Sequence, residues 1–200
     1  NWSTAELSVP RFNMAAIAAG NKIFFAGGSN VFLLSGEDYS TVDIYDVVAN
    51  TWSVASLSQI GCSAIATVGN KVFFTVGGSV ITSTMLDIYD LSTNTWSTTS
   101  FSGSRWDMSA VAANNKIYFA GGKIPIPGSD TTEDYSSRID IYDNATGSWS
   151  VSALSEPKWV MGSIAVVRTP MEMASRMTKT DVRVRQPVRS STRMVVSPPA

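Results

Sequence analysis

The chain has 200 residues, 44% hydrophobic and 16% charged, enough for one or two packed domains and too apolar for a chain disordered throughout. Its formal net charge of −1 hides an asymmetry: eight basic and fourteen acidic residues up to Val167 leave about −6, and seven basic against two acidic beyond it leave about +5. The chain contains no histidine, which excludes a His-ligated metal and any Ser-His-Asp or Cys-His arrangement within it; its single cysteine, Cys62, excludes an internal disulfide; and no apolar run approaches the ~20 residues of a membrane-spanning helix.

In chain order, Asn1-Trp2-Ser3 is a lone strand opening, and tryptophan recurs in a like context at Trp52, Trp96 and Trp149, with separations of 50, 44 and 53 residues. Residues 14–28 (MAAIAAGNKIFFAGG) predict a hairpin turning at Gly20-Asn21, residue types that accept the positive φ of tight turns. A loop (29–41), the alternating strand VDIYD and a fourth strand opening at Trp52 complete a unit of about 14–57. The same succession recurs over about 62–101, with its hairpin turning at Gly69-Asn70, and over about 108–154, turning at Asn114-Asn115. Gly27-Gly28, Gly77-Gly78 and Gly121-Gly122 follow the hairpins, and seven residues separate Tyr45, Tyr89 and Tyr142 from the next tryptophan. In each hairpin the first strand is built of small residues and the second is aromatic, as expected if the small-residue strands converge and the bulky ones lie further out. Self-similarity on this period marks a repeat array.

The double glycine, the Tyr and Trp at fixed spacing and four strands per unit resemble the kelch repeat, over residues 1 to about 167. The resemblance implies an all-β fold, a kelch-type β-propeller fragment of four-stranded antiparallel blades with almost no helix. Superposing Ala16-Ile17-Ala18, Ala64-Ile65-Ala66, Ala110-Val111-Ala112 and Ser163-Ile164-Ala165 makes the last of these the first strand of a further, interrupted blade. An open array leaves two apolar faces wet: a face of ~600 Å² at ~25 cal/mol per Å² forgoes on the order of 15 kcal/mol, so association through open blade faces is expected.

The loop before each first strand shares a face of the meander with the variable loop after each glycine pair, residues 29–41, 79–85 and 123–138. The loops before the first strands align as Arg11-Phe12, Gln59-Ile60, Arg105-Trp106 and Lys158-Trp159. A cation beside a ring suits a carboxylate, an acidic peptide or a sugar, so Arg11, Phe12, Gln59, Arg105, Trp106, Lys158 and Trp159 are the candidate ligand contacts. The resemblance implies a competing role, a basic residue kept here for blade-to-blade bonding. The two aspartates of each DIYD alternate with apolar residues and precede a turn, which points to structure rather than paired-carboxylate chemistry. Glu37-Asp38 and Glu133-Asp134 sit on variable loops, where solvated charge is expected and weak cation binding is the alternative, and Cys62 fills the slot of Met14, Met108 and Met161. No catalytic residue, metal or cofactor is expected.

From Arg168 to Ala200 there is no Gly, Phe, Tyr or Trp, a composition poorly suited to a core. Two readings of 168–200 stand side by side: a disordered basic tail, or a frameshifted translation, since the shifted codons of Met171-Glu172, Met173-Ala174 and Met177-Thr178 must read Gly, Gly and Asp, as in acidic glycine-rich calcium loops. The tail lacks the aromatic residues that stack on single strands, and no nucleic-acid partner is expected. The function expected is a noncatalytic interaction module presenting a loop-rich face to a protein or glycan. The alternative is a propeller fragment of a secreted carbohydrate-active enzyme whose catalytic residues lie outside the chain. Low charge and abundant Ser and Thr favour an extracellular or bacterial cell-surface protein over a cytoplasmic adaptor.

Overall fold

The computed structural model describes residues 2, 4–30, 38–77, 83–126 and 133–159. Contacts divide the chain into Asn1–Val166 and Val167–Ala200; the second unit, and with it both readings of the tail and the strand expected at 163–167, lies outside the described residues. The described residues contain strands and no helix.

Three antiparallel four-stranded sheets follow one another. Blade 1 comprises β1 (Ala15–Ala19), β2 (Lys22–Ala26), β3 (Thr41–Asp46) and β4 (Thr51–Ser56); blade 2 comprises β5 (Ile65–Val68), β6 (Lys71–Thr75), β7 (Met85–Asp90) and β8 (Thr95–Ser100). Blade 3 comprises β9 (Ser109–Ala113), β10 (Lys116–Ala120), β13 (Arg138–Asp143) and β14 (Ser148–Ala153), with a two-stranded ribbon, β11 (Lys123–Pro125) and β12 (Glu133–Tyr135), inserted between its second and third strands. The sequence expectation for 123–138 is a plain loop, and the ribbon is an addition to it. The first hairpins turn where the sequence places them, with φ of 58° at Gly20, 57° at Gly69, and 50° and 58° at Asn114 and Asn115.

The seven-residue Tyr–Trp spacing has a simple cause. Asp46 pairs with Thr51 across a four-residue turn, so Tyr45 stands directly opposite Trp52; Tyr89 faces Trp96 and Tyr142 faces Trp149 in the same way. The ring centroids lie 4.9, 5.1 and 5.3 Å apart, a cross-strand contact of ~0.5–1.5 kcal/mol beyond simple burial. The second Asp of each DIYD ties the turn: Asp46 accepts the backbone N–H of Val48 and Ala49, Asp90 that of Ser92 and Thr93, and Asp143 that of Ala145. Each turn ends in the left-handed region, at Asn50 (φ 55°), Asn94 (φ 56°) and Gly147 (φ 69°).

Blade 2 departs from the sequence superposition by one residue. Ala16 and Ala110 pair with Phe25 and Phe119, but Ile65, rather than Ala64, pairs with Phe74. An extra residue stands on the entry side of this hairpin's base, and Ala64 and Thr75 bond there through backbone and hydroxyl. Counted from Lys22, Lys71 and Lys116, Val76 stands where Gly27 and Gly121 do, and Gly77 (φ 101°) matches Gly28 (φ 94°) and Gly122 (φ 101°). The second glycine is obligatory for space as well as conformation. A Cβ on Gly28 would lie 2.6 Å from the Phe12 carbonyl oxygen, and one on Gly122 2.6 Å from that of Trp106.

Successive blades share cores. Phe24, Val42 and Ile44 of blade 1 pack with Val72, Phe74 and Tyr89 of blade 2, while Phe73 and Leu86 of blade 2 pack with Ile117, Phe119 and Tyr142 of blade 3. Alternation along β6 produces this arrangement: adjacent Phe73 and Phe74 point to opposite faces, one into each core. The small-residue strands β1, β5 and β9 lie beside one another, as expected for the strands that converge.

Candidate functional site

In blades 1 and 3 the loop preceding the first strand bonds to the segment after the glycine pair, and in blade 2 the Gly77 N–H donates to the Ile60 carbonyl at 3.1 Å. Phe12 and Ser29 exchange both backbone hydrogen bonds at 2.9 Å, and Trp106 and Lys123 do so at 3.1 and 2.7 Å. The entry loops and the variable loops therefore share one face, as the sequence implies. Within each entry loop one residue is left-handed: Asn13 (φ 55°), Gly61 (φ 80°) and Asp107 (φ 53°), three residue types that tolerate this conformation. These three positions meet at a cavity of about 660 Å³, lined also by Met14, Cys62 and Met108, by Ser63 and Ser109, and by Asp38, Trp106 and Lys123. Cys62 is buried and donates weakly to the Ala64 carbonyl at 3.7 Å; burial pushes its thiol up to about 12, so it stays protonated at neutral pH, as the packing role requires.

The arginines point the other way. Arg105 is 2% exposed; it pairs with Asp140 at 2.5 Å and donates to the carbonyls of Arg138 (3.0 Å) and Phe119 (3.1 Å). Burial draws the Arg105 guanidinium below its ordinary range, and Asp140 opposes that. Arg11 repeats the arrangement, with its side chain fully buried, Asp43 at 2.6 Å and the Phe25 carbonyl at 3.0 Å. Burial alone would raise Asp43, but Ser8 and Arg11 outweigh it and hold the carboxyl below its ordinary range. Both partners belong to the same blade as the arginine. The basic residue thus pins its own entry loop to the third strand; it does not bridge blades, and its charge does not reach solvent.

Blade 2 has Gln59 in this slot. Its first aspartate, Asp87, is served instead by the Ser58 N–H (2.6 Å) and hydroxyl (2.7 Å), while the Gln59 amide donates weakly to Met85 Sδ at 3.6 Å. Serine is the partner that sequence reasoning missed: Ser8 and Ser102 stand three residues before Arg11 and Arg105 and bond the same aspartates, Ser8 through its N–H at 3.1 Å and Ser102 through its hydroxyl at 2.5 Å. The shared Ser-x-x-Arg spacing was the available signal.

Of the seven candidate contacts, only Lys158 and Trp159 are exposed. Phe12 is half-buried, Gln59 is half-buried, and Trp106, at 5% exposure, contributes to the cavity wall. Lys158 extends toward Glu156 at 3.5 Å. Trp159 is 44% exposed and stacks on Tyr135, itself 42% exposed, with ring centroids 5.9 Å apart and planes 10° from parallel. Lys123 Nζ lies 4.5 Å from the Trp159 centroid and 3.5 Å from Asp107, at the cavity. The ribbon builds this cluster: Lys123 pairs with Tyr135 across β11 and β12, so the end of a variable loop returns beside its start. Neither Tyr135 nor Lys123 is marked by the repeat, since each belongs to a loop that differs between units. Of the acidic loop pairs, Glu37 lies outside the described residues, Asp38 lines the cavity, and Asp134 accepts the N–H of Tyr135 at 2.8 Å.

A kelch motif matches residues 10–56, the span of blade 1 with its entry loop. No curated protein matches the chain. Blades 2 and 3 repeat the strand order of the matched segment, its pairing across the outer hairpin and its Tyr–Trp contact, so the described residues hold a kelch motif and three four-stranded antiparallel sheets consistent with kelch blades.

Proposed function

We propose that this kelch-repeat body is a noncatalytic binding module, and that the ligand, a protein segment or glycan, seats on the loop-rich face across the Tyr135–Trp159 pair and the adjoining cavity. The observation that carries the reading is the stacked, exposed pair with a lysine over one ring. Two stacked rings held nearly parallel offer exposed aromatic surface already ordered before binding, with the Lys123 ammonium over the Trp159 ring and Asp107 beside that ammonium. The chain's low charge and the absence of histidine favour binding over chemistry at this face. Self-association through open blade faces belongs to the same reading.

An array of oligosaccharides and acidic peptides probed with the full 200-residue chain tests it. The expected result is one related class of ligand, bound at least tenfold more weakly by Trp159→Ala and by Lys123→Ala, a loss of the size expected for an interface anchor, ~1 kcal/mol or more. Melting temperature should hardly move for Trp159→Ala, because an exposed side chain contributes only about ±0.5 kcal/mol. Undiminished binding by both variants would remove the pair from the site.

A further inference from the structure

Each interface between blades joins the same two faces. The forward face presents the first of two adjacent second-strand ring positions, Phe24 in blade 1 and Phe73 in blade 2. The rear face presents the other ring with the Tyr–Trp pair. Phe24 lies 5.3 Å from Tyr89 and 5.7 Å from Phe74; Phe73 lies 4.8 Å from Tyr142 and 6.3 Å from Phe119.

Blade 1 carries a rear face of the same make. Phe25 and Tyr45 pack on Trp52 with ring centroids 6.0 and 4.9 Å away, and Trp52 is 41% and Val54 59% exposed, whereas Trp96 and Trp149 are partly buried in the shared cores. Blade 3 carries a forward face of the same make. Tyr118 occupies the register position of Phe24 and Phe73, opposite Val111 as they are opposite Ile17 and Ala66. Tyr118, Ile139 and Ile141 are only half-buried, while Phe24, Val42 and Ile44 of blade 1 are buried. Residues 160–200 contain no Phe, Tyr or Trp, so that segment cannot supply the ring that a rear face receives.

We infer that the two faces are complementary to each other and that a second copy of this chain docks head to tail, Tyr118 of one copy entering against Tyr45 and Trp52 of the next. The contact joins unlike surfaces, so it propagates until the rotation closes a ring, and it is blocked by damage to either surface.

Light scattering behind size-exclusion chromatography tests this on the full chain over a wide concentration range. The wild type should show at least twice the 21.4 kDa chain mass at the upper concentrations. Trp52→Asp and Tyr118→Asp should each be monomeric alone, and an equimolar mixture should form a one-to-one dimer and nothing larger, because each variant retains the surface the other lacks. Should either Asp variant lose its β-sheet circular dichroism, Trp52→Ser and Tyr118→Ser replace them in the same mixing test. A wild type that is monomeric throughout, self-association that survives in both variants, or a mixture that stays monomeric would overturn the inference. A like-to-like contact would show as self-association persisting in one variant alone, which also overturns it.

Discussion

At the scale of single residues, the fold depends on three buried carboxylates, Asp43, Asp87 and Asp140, each 2% exposed. Each lies in the third strand of its blade, and each is met by the entry loop crossing above it. A carboxylate so placed is tolerable only if its charge is matched, and removing the match costs more than the pair contributes net. Arg105→Ala should therefore destabilise the protein by ~3–5 kcal/mol in denaturant melts, whereas Arg105→Met combined with Asp140→Leu should recover much of that loss. A small effect of Arg105→Ala would mean that Ser102 alone satisfies Asp140. The basic residue in this loop was legible in the sequence, and so was its nearness to an aromatic ring. The direction of its side chain was not, because the third-strand aspartate and the loop serine that capture it are distant in sequence and become neighbours only once the blade is formed.

Elements repeat more faithfully than residues do. The turn after each third strand is held by an aspartate that accepts backbone N–H groups of the turn and faces a lysine opening the second strand. In Asp46 the hydrogen bond from the Ala49 N–H, followed by that from Lys22, holds the carboxyl down to about 2 from an ordinary 3.8. Asp90 and Asp143 are lowered in the same direction, first by the Ser92 hydroxyl and first by Lys116 respectively. A pKa lower in the folded than in the unfolded chain means that the stabilisation is complete above the ordinary value. It is then lost as pH falls through the interval down to the folded value. The melting temperature should therefore drop between about pH 4 and pH 2, and Asp46→Asn should melt lower than wild type near neutrality yet converge with it near pH 2. Parallel curves at all pH values would show that Asp46 contributes nothing through its charge. Turn residues, hairpins and the Tyr–Trp pairing could be read from sequence because each is a local matter of φ and period. The extra residue in the base of blade 2 could not, since one more small residue in Gly61-Cys62-Ser63-Ala64 leaves the repeat pattern intact, and only cross-strand pairing reveals which alanine holds the register. The β11–β12 ribbon was hidden for a different reason: Pro125 reads as a loop former, yet it sits at the ladder's end opposite Glu133, where a missing N–H costs little.

Across the three blades, stability is distributed along the array, since each blade buries one face against the next and neither shared core belongs to a single sheet. Blade 2 is common to both cores: Phe74 enters the one shared with blade 1, Phe73 the one shared with blade 3, and both are fully buried. If the blades were independent beads, truncating one of these rings would loosen its own sheet and leave the others intact. With shared cores, Phe73→Ala should cost ~3–5 kcal/mol and lower a single transition without splitting it. Amide exchange offers the sharper measurement. In the variant, the amides of β10 in blade 3 and of β2 in blade 1 should lose protection along with those of β6, because opening blade 2 uncovers the faces that Phe119 and Phe24 present to it. Loss of protection confined to β5–β8 would mean that each blade holds itself together and that the shared rings set alignment rather than stability.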